Sequence, residues 1–131
     1  MIKIRTFLLF CAIGLVPIAL SYGARPSVSL EVLFGITVES TNLTHIMRAV
    51  MGLYFGMIVI WIWGAFSKPM AGPALVSCAV FMLGIAAGRI LSFLLDGMPH
   101  WLLVVYAVIE VVLGAMAIAL YRIHISKEAS R

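Results

Sequence analysis

The sequence predicts an all-α fold, a four-transmembrane-helix antiparallel bundle with an apolar outer loop between the first two helices. Of its 131 residues, 64% are hydrophobic and only 11% are charged, whereas soluble chains average about 25% charged residues. The apolar residues form four runs, and each is close to the roughly 20 residues that a membrane-spanning helix needs. These runs lack the alternation of polar and apolar residues that is typical of β-barrel strands.

The composition also excludes several classes of protein. A soluble core of this size cannot hide so much apolar surface from water, which excludes a free cytosolic enzyme. The low charge excludes a disordered tail. Basic residues are scattered singly near the ends of the runs, so we expect no nucleic-acid partner, and membrane lipids are the expected surroundings.

The chain is predicted to be a single integral membrane domain covering residues 1–131, with four spans. The spans are residues 6–22, 45–66, 74–95 and 101–121. The first span, preceded by Lys3 and Arg5, also resembles a secretory signal peptide. Its apolar run is long for a signal peptide, and Tyr22 stands where cleavage favours a small residue, so we expect an uncleaved helix.

The connections between spans differ in character. Residues 23–44 form an outer flap that is too apolar for a solvated linker, which predicts a short interfacial helix or a re-entrant segment over the bundle. Residues 68–73 predict a tight inner turn and residues 96–99 a tight outer turn. Trp61, Trp63 and Trp101 lie near span ends, where aromatic residues form the interfacial belts.

Lysine and arginine in the short loops predict the orientation. The side that holds both termini carries six basic residues, and the other side carries only Arg25. The six are Lys3, Arg5, Lys68, Arg122, Lys127 and Arg131. We therefore expect a multi-pass protein of the bacterial inner (cytoplasmic) membrane with both termini in the cytoplasm. The bias also argues against a dual-topology multidrug transporter.

Three charged residues lie inside the predicted spans, namely Arg48, Arg89 and Glu110. Each costs about 2.5–3.5 kcal/mol at a helix centre. At a rise of about 1.5 Å per residue, they lie roughly 5, 10 and 14 Å from the outer ends of their helices. Because a short turn joins the last two spans, these spans should pack antiparallel and pair Arg89 with Glu110.

The charged residues have two interpretations. In the structural one, Arg89 and Glu110 neutralise each other and fix the helix register, while Arg48 extends to the outer interface or pairs with Glu39 or Asp96. In the functional one, two guanidiniums converge with Glu110, and His45 and Asp96 lie at the rim. This cluster would hold a lipid headgroup, a small acidic or quinone-like ligand, or a partner helix.

Other chemistry finds little support in the residues. His45 and His100 could join Asp96 and Glu110 around a metal, but no spacing brings them together, so we expect no metal site and no cofactor. Catalytic motifs such as G-x-S-x-G, the P-loop and H-E-x-x-H are absent, and we expect no catalytic residues. Two alternatives stay open: a small transporter or channel subunit with Glu110 as proton-coupling carboxylate, and a membrane-embedded redox subunit.

Small residues predict the packing faces. Gly52-x-x-x-Gly56 and Gly84-x-x-x-Gly88 are small-xxx-small patterns. We expect them to face the bundle interior, while a homodimer or a partner membrane protein contacting one of these faces is the alternative. Cys11 and Cys78 lie within apolar runs without any C-x-x-C motif, which indicates buried free thiols.

Three ordered blocks carry a family resemblance. They are NLTHIMRA from Asn42 followed by Gly52-Leu53-Tyr54, then GIAAGR from Gly84 with DGMP from Asp96, and EVVLG from Glu110. From about Leu33 onward, the chain resembles the bacterial domain-of-unknown-function family 4345. The resemblance implies a small four-helix integral membrane protein that is distantly similar to the DoxX-like group. It implies no activity and no cofactor.

Overall fold

The computed structural model describes residues 1–130, which form five α-helices and no strand. The helices are α1 (Ile2–Gly23), α2 (Pro26–Phe34), α3 (Thr41–Phe66), α4 (Lys68–Leu95) and α5 (Trp101–Ala129). All except α2 are long and apolar enough to cross a membrane. The all-α fold with four spans is therefore confirmed, and the chain is a multi-pass membrane protein.

The four long helices pack mainly in chain order, α1 on α3, α3 on α4 and α4 on α5. The Arg5 guanidinium lies 4.5 Å from the centre of the Phe66 ring, which places the start of α1 beside the end of α3. At the opposite end, Gly23 packs against Met51. A smaller contact joins α1 to α4, whereas α1 and α5 have almost none. One side of the bundle is therefore open.

The best-buried part of the core lies where α1, α3 and α4 meet. Leu8, Trp61, Leu75 and Cys78 are fully buried there, and the Trp61 indole donates a hydrogen bond to the Ser77 hydroxyl at 3.2 Å. The prediction that Trp61 belongs to an interfacial belt is wrong, because its ring fills the core.

Two smaller expectations about these residues agree with the structure. Trp63 and Trp101 are 58% and 67% exposed, as belt residues are. Cys11 and Cys78 are buried free cysteines, as predicted.

Close approach of the helices depends on glycines other than the predicted ones. A Cβ at Gly64 would overlap Ala74, and one at Gly114 would meet Leu83. A Cβ at Gly52, Gly56, Gly84 or Gly88 would meet nothing within 4 Å. The prediction that these four face the interior is wrong. The large side chains Tyr54, Ile58 and Trp61 set the buried face of α3, and the Gly52/Gly56 face points away from it.

The outer flap contains the predicted short helix, α2. It begins at Pro26, whose missing N–H costs nothing in a first turn. It ends at Phe34, and the next residue, Gly35, caps it with a φ of 68°, the left-handed conformation that glycine adopts readily. Leu30 and Val38 are buried, so this flap is anchored to the bundle. The Ser40 hydroxyl then caps α3 by accepting a hydrogen bond from the Leu43 N–H at 3.0 Å.

The inner connection differs from the predicted turn at residues 68–73. Only Ser67 separates α3 from α4, and residues 68–73 are the first turns of α4. Pro69 lies in the first turn, where its missing N–H has no partner to lose. Pro73 lies inside α4 and Pro17 inside α1, and neither ends its helix. The predicted inner turn at residues 68–73 is therefore wrong, because these proline and glycine residues belong to the start of α4.

Gly64→Ala is expected to lower the free energy of unfolding by about 1–3 kcal/mol, because the added methyl overpacks the contact between α3 and α4. Gly52→Ala is the matched control, and it should be neutral or stabilise by up to about 1 kcal/mol, since alanine favours a helix. Thermal unfolding in detergent, followed by circular dichroism, measures both. A destabilised Gly52→Ala beside an unaffected Gly64→Ala would contradict the assigned faces of α3.

Candidate ligand-binding site

An ion pair joins α4 to α5. The Arg89 Nε donates to both carboxylate oxygens of Glu110, at 3.1 and 2.9 Å, and its Nη2 donates to Oε1 at 3.1 Å. The two side chains are only 16% and 11% exposed. This contact is the pairing that the depth estimate predicts. Bidentate contacts of this kind fix both distance and orientation, and the pair carries no net charge.

Three tyrosines from three helices surround this pair. The Arg89 Cζ lies 5.8 Å from the centre of the Tyr106 ring, and Tyr22 lies beside the same guanidinium. Tyr22 meets Tyr54 edge-to-face at 5.6 Å between ring centres, and Tyr54 meets Phe81 in the same way at 5.1 Å. Sequence reasoning missed these tyrosines as site residues. The available signal was a tyrosine well inside a span, since Tyr54 lies away from both interfaces.

The Tyr54 hydroxyl has no hydrogen-bond partner within residues 1–130, although the residue is only 7% exposed. Buried tyrosine hydroxyls usually find a partner. No fully enclosed side-chain polar atom in the described chain lacks a partner, so this hydroxyl is not fully enclosed. Tyr54 lines a cavity, and we infer that its hydroxyl opens onto that cavity.

This cavity lies on the open side of the bundle, between α1 and α5, with α3 and α4 behind it. Its volume is about 220 Å³. The walls are mainly apolar, and three of the lining residues carry a hydroxyl or carboxylate: Tyr54, Tyr106 and Glu110. The two flanking helices contribute Phe10, Gly14 and Ile18 from α1, and Ile109 and Leu113 from α5.

A second apolar groove of about 600 Å³ lies next to the cavity along the same two helices. It reaches Lys3 on α1 and Leu120 on α5, and Phe10 borders both spaces. We call the combined space the α1–α5 gap. From Glu110 to Leu120 it extends about 15 Å along α5 at the helical rise of 1.5 Å per residue. That length is about half of a hydrocarbon core of roughly 30 Å.

Arg48 does not join the pair. It is exposed, and it forms no ion pair within 4 Å in the part of the chain that the structure describes. With His45 it borders a shallow surface depression instead. The expectation that two guanidiniums converge on Glu110 is therefore wrong. The reason is helical periodicity, because Arg48 is four residues before Gly52 and shares its outward face.

The other predicted rim residues also lie apart from the pair. Asp96 is exposed and accepts a hydrogen bond from the Ser92 hydroxyl at 2.6 Å. His100 caps α5, where its Nδ1 accepts from the Leu102 N–H at 3.3 Å. Within residues 1–130, no three His, Cys, Asp or Glu side chains are placed to share a metal ion. Of the five predicted site residues, the structure pairs Arg89 with Glu110 and places Arg48 beside His45 at a separate surface depression, and Asp96 joins neither group.

Comparison with known proteins identifies one family. The model of a domain of unknown function, DUF4345, matches residues 4–121, which include most of each long helix. No curated protein and no solved structure matches the chain. The predicted family is confirmed, and the distant similarity to the DoxX-like group stays a prediction.

Glu110→Ala is expected to lower the free energy of unfolding by about 3–5 kcal/mol, because it leaves the Arg89 guanidinium buried without its carboxylate. The double variant Arg89→Met with Glu110→Leu should recover much of this loss, since apolar residues of similar size often replace a buried ion pair without cost. Thermal unfolding in detergent measures these differences.

Glu31→Ala serves as the control, because Glu31 is exposed and forms no ion pair in residues 1–130. A Glu110→Ala variant as stable as the control would show that the pair does not hold α5 in place.

Proposed function

The chain belongs to the DUF4345 family, and we propose that it is a non-enzymatic membrane protein that binds a lipophilic molecule in the α1–α5 gap. A single observation carries this proposal. An apolar gap between two membrane-spanning helices leads to polar side chains from two helices, Tyr54, Tyr106 and Glu110. Ligand sites in proteins commonly combine such apolar walls with a few placed polar groups.

The shape of the gap supports a lipid-like occupant. It lies on the open side of the bundle, and it extends over about half of the hydrocarbon thickness. A molecule dissolved in the bilayer can therefore enter sideways, with its tail between α1 and α5 and its head beside Glu110. The protein then serves as a carrier, a sensor or an accessory subunit for that molecule.

A partner helix fits the gap less well. A helix with side chains is about 10 Å across, so a 15 Å length occupies roughly 1,200 Å³. Over that length the cavity beside Glu110 and the adjoining groove hold about 220 and 600 Å³, which is less than a helix needs. Proton-coupled transport by Glu110 is also less favoured, because it needs a water path to the carboxylate. The groove between Glu110 and the inner end of α5 has mainly apolar walls, and such spaces tend to stay dry.

We propose that the protein lies in a bacterial inner membrane with both termini in the cytoplasm. Lys3, Arg5 and Lys68 lie near the helix ends on this side, and Arg122 and Lys127 lie near the end of α5. An excess of lysine and arginine is typical of the cytoplasmic side. The α1–α5 gap then lies mainly in the inner half of the bilayer.

Photolabelling tests the binding site. Two long-chain probes carry a diazirine in the tail and either a ketone or a carboxylate as head. We expect at least one to label peptides containing Phe10–Ile18 and Ile109–Leu113 at saturable concentrations. Gly14→Phe should reduce this labelling roughly tenfold, because a phenyl ring overfills the space.

Gly84→Phe is the matched control for that substitution. Both glycines have open space around them, but only Gly14 lines the gap. Labelling in Gly84→Phe should equal that of the unmodified chain. Labels spread evenly over the lipid-facing sides of all four long helices, in both variants, would contradict a site in the gap.

The orientation has its own test. Cysteine variants at Ser130 and at Ser27 in a Cys11→Ala and Cys78→Ala background are treated in intact cells with a membrane-impermeant maleimide. We expect labelling at Ser27 and none at Ser130 until the inner membrane is opened, because the basic side faces the cytoplasm. Immediate labelling at Ser130 would reverse the assigned orientation.

A further inference from the structure

The charge of the site and its unused hydroxyls define what kind of head the gap accepts. We propose that the ligand is an uncharged lipophile with a carbonyl-type hydrogen-bond acceptor, and that the Tyr54 hydroxyl donates to this acceptor. This inference rests on the proposed function. It makes Tyr54 a specificity-determining residue of the site.

The first argument concerns charge. Arg89 is neutralised by Glu110 through three hydrogen bonds, and Arg48 lies elsewhere on the surface. A carboxylate or phosphate in the cavity would meet a carboxylate and no unpaired cation. Burying a charge without a partner is strongly unfavourable, and roughly 14 Å along α5 from its outer end no water compensates for it. An uncharged head avoids this cost.

The second argument concerns hydrogen bonding. Tyr54 and Tyr106 line the cavity, and neither hydroxyl donates to an acceptor within residues 1–130. The Glu110 oxygens already accept from Arg89. The cavity therefore offers two hydroxyl protons that have no acceptor within residues 1–130, beside a carboxylate that already accepts from Arg89. A carbonyl oxygen complements this surface, and an oxygen can accept from both hydroxyls at once.

The third argument concerns the depth of the head and the path of the tail. Charged heads of membrane lipids stay at the interface, whereas the cavity lies near the middle of the helices. An uncharged head can occupy this depth without losing strong hydration. Its tail then follows the gap past Phe10 toward Lys3. Ketones, esters and quinones with long apolar tails satisfy these requirements.

Three diazirine probes with one common tail test the proposal, bearing a ketone, a carboxylate or no polar head. We expect the ketone to label the gap at concentrations about fivefold lower than the headless probe, as one neutral hydrogen bond implies. The carboxylate should need at least about tenfold more than the ketone. Tyr54→Phe should raise the concentration at which the ketone probe labels the gap about fivefold. It should leave the concentration needed for the headless probe unchanged.

Tyr121→Phe is the control, because Tyr121 lies outside the gap and its loss should change nothing. Equal labelling by the carboxylate and ketone probes would overturn the inference, and so would ketone labelling that does not change in Tyr54→Phe. In either case, saturable labelling of the gap would still uphold the proposed function. If no probe labels the gap saturably, the proposed function fails as well. A phenylalanine at position 54 retains the edge-to-face ring contacts of Tyr54. The comparison therefore tests the loss of the hydroxyl and not a change of fold.

Discussion

The ion pair between Arg89 and Glu110 determines where α5 lies. Inside a bilayer, apolar side chains gain little by leaving lipid for another helix, so packing and polar contacts decide helix arrangement. In the described residues, this pair is the one side-chain hydrogen-bonded contact between α5 and another helix. It joins α5 to α4, and in this arrangement few residues of α5 come close to α1. The gap is a direct result of this placement.

The same contact decides the chemistry of the gap. Because the guanidinium is saturated on one edge by the carboxylate, the polar end of the cavity is neutral yet rich in hydroxyl donors. Tyr54 comes from α3, and Tyr106 and Glu110 come from α5, so the polar end exists only in the assembled bundle. The ion pair that fixes the register of α4 and α5 thus also forms part of a site where a polar group can lie deep in the membrane.

The architecture could be predicted from the sequence, but only part of the site could. Long apolar runs predict spans, and helical rise places Arg89 level with Glu110, because both depend on spacing along one chain. The outward position of Arg48 and the open surroundings of Gly52 were not predictable, since they depend on how far each helix rotates about its axis. That rotation is fixed by Trp61 and Tyr54 entering the core, a three-dimensional packing result. The turn predicted at residues 68–73 was wrong because proline and glycine occur both in tight turns and in the first turns of helices.

The loose relation of α1 to α5 gives the surrounding bilayer a role in the protein. Because few residues of α1 and α5 approach each other closely, the lipids beside the α1–α5 gap are expected to contribute to their separation. We therefore expect the width of the α1–α5 gap to vary with membrane composition and temperature.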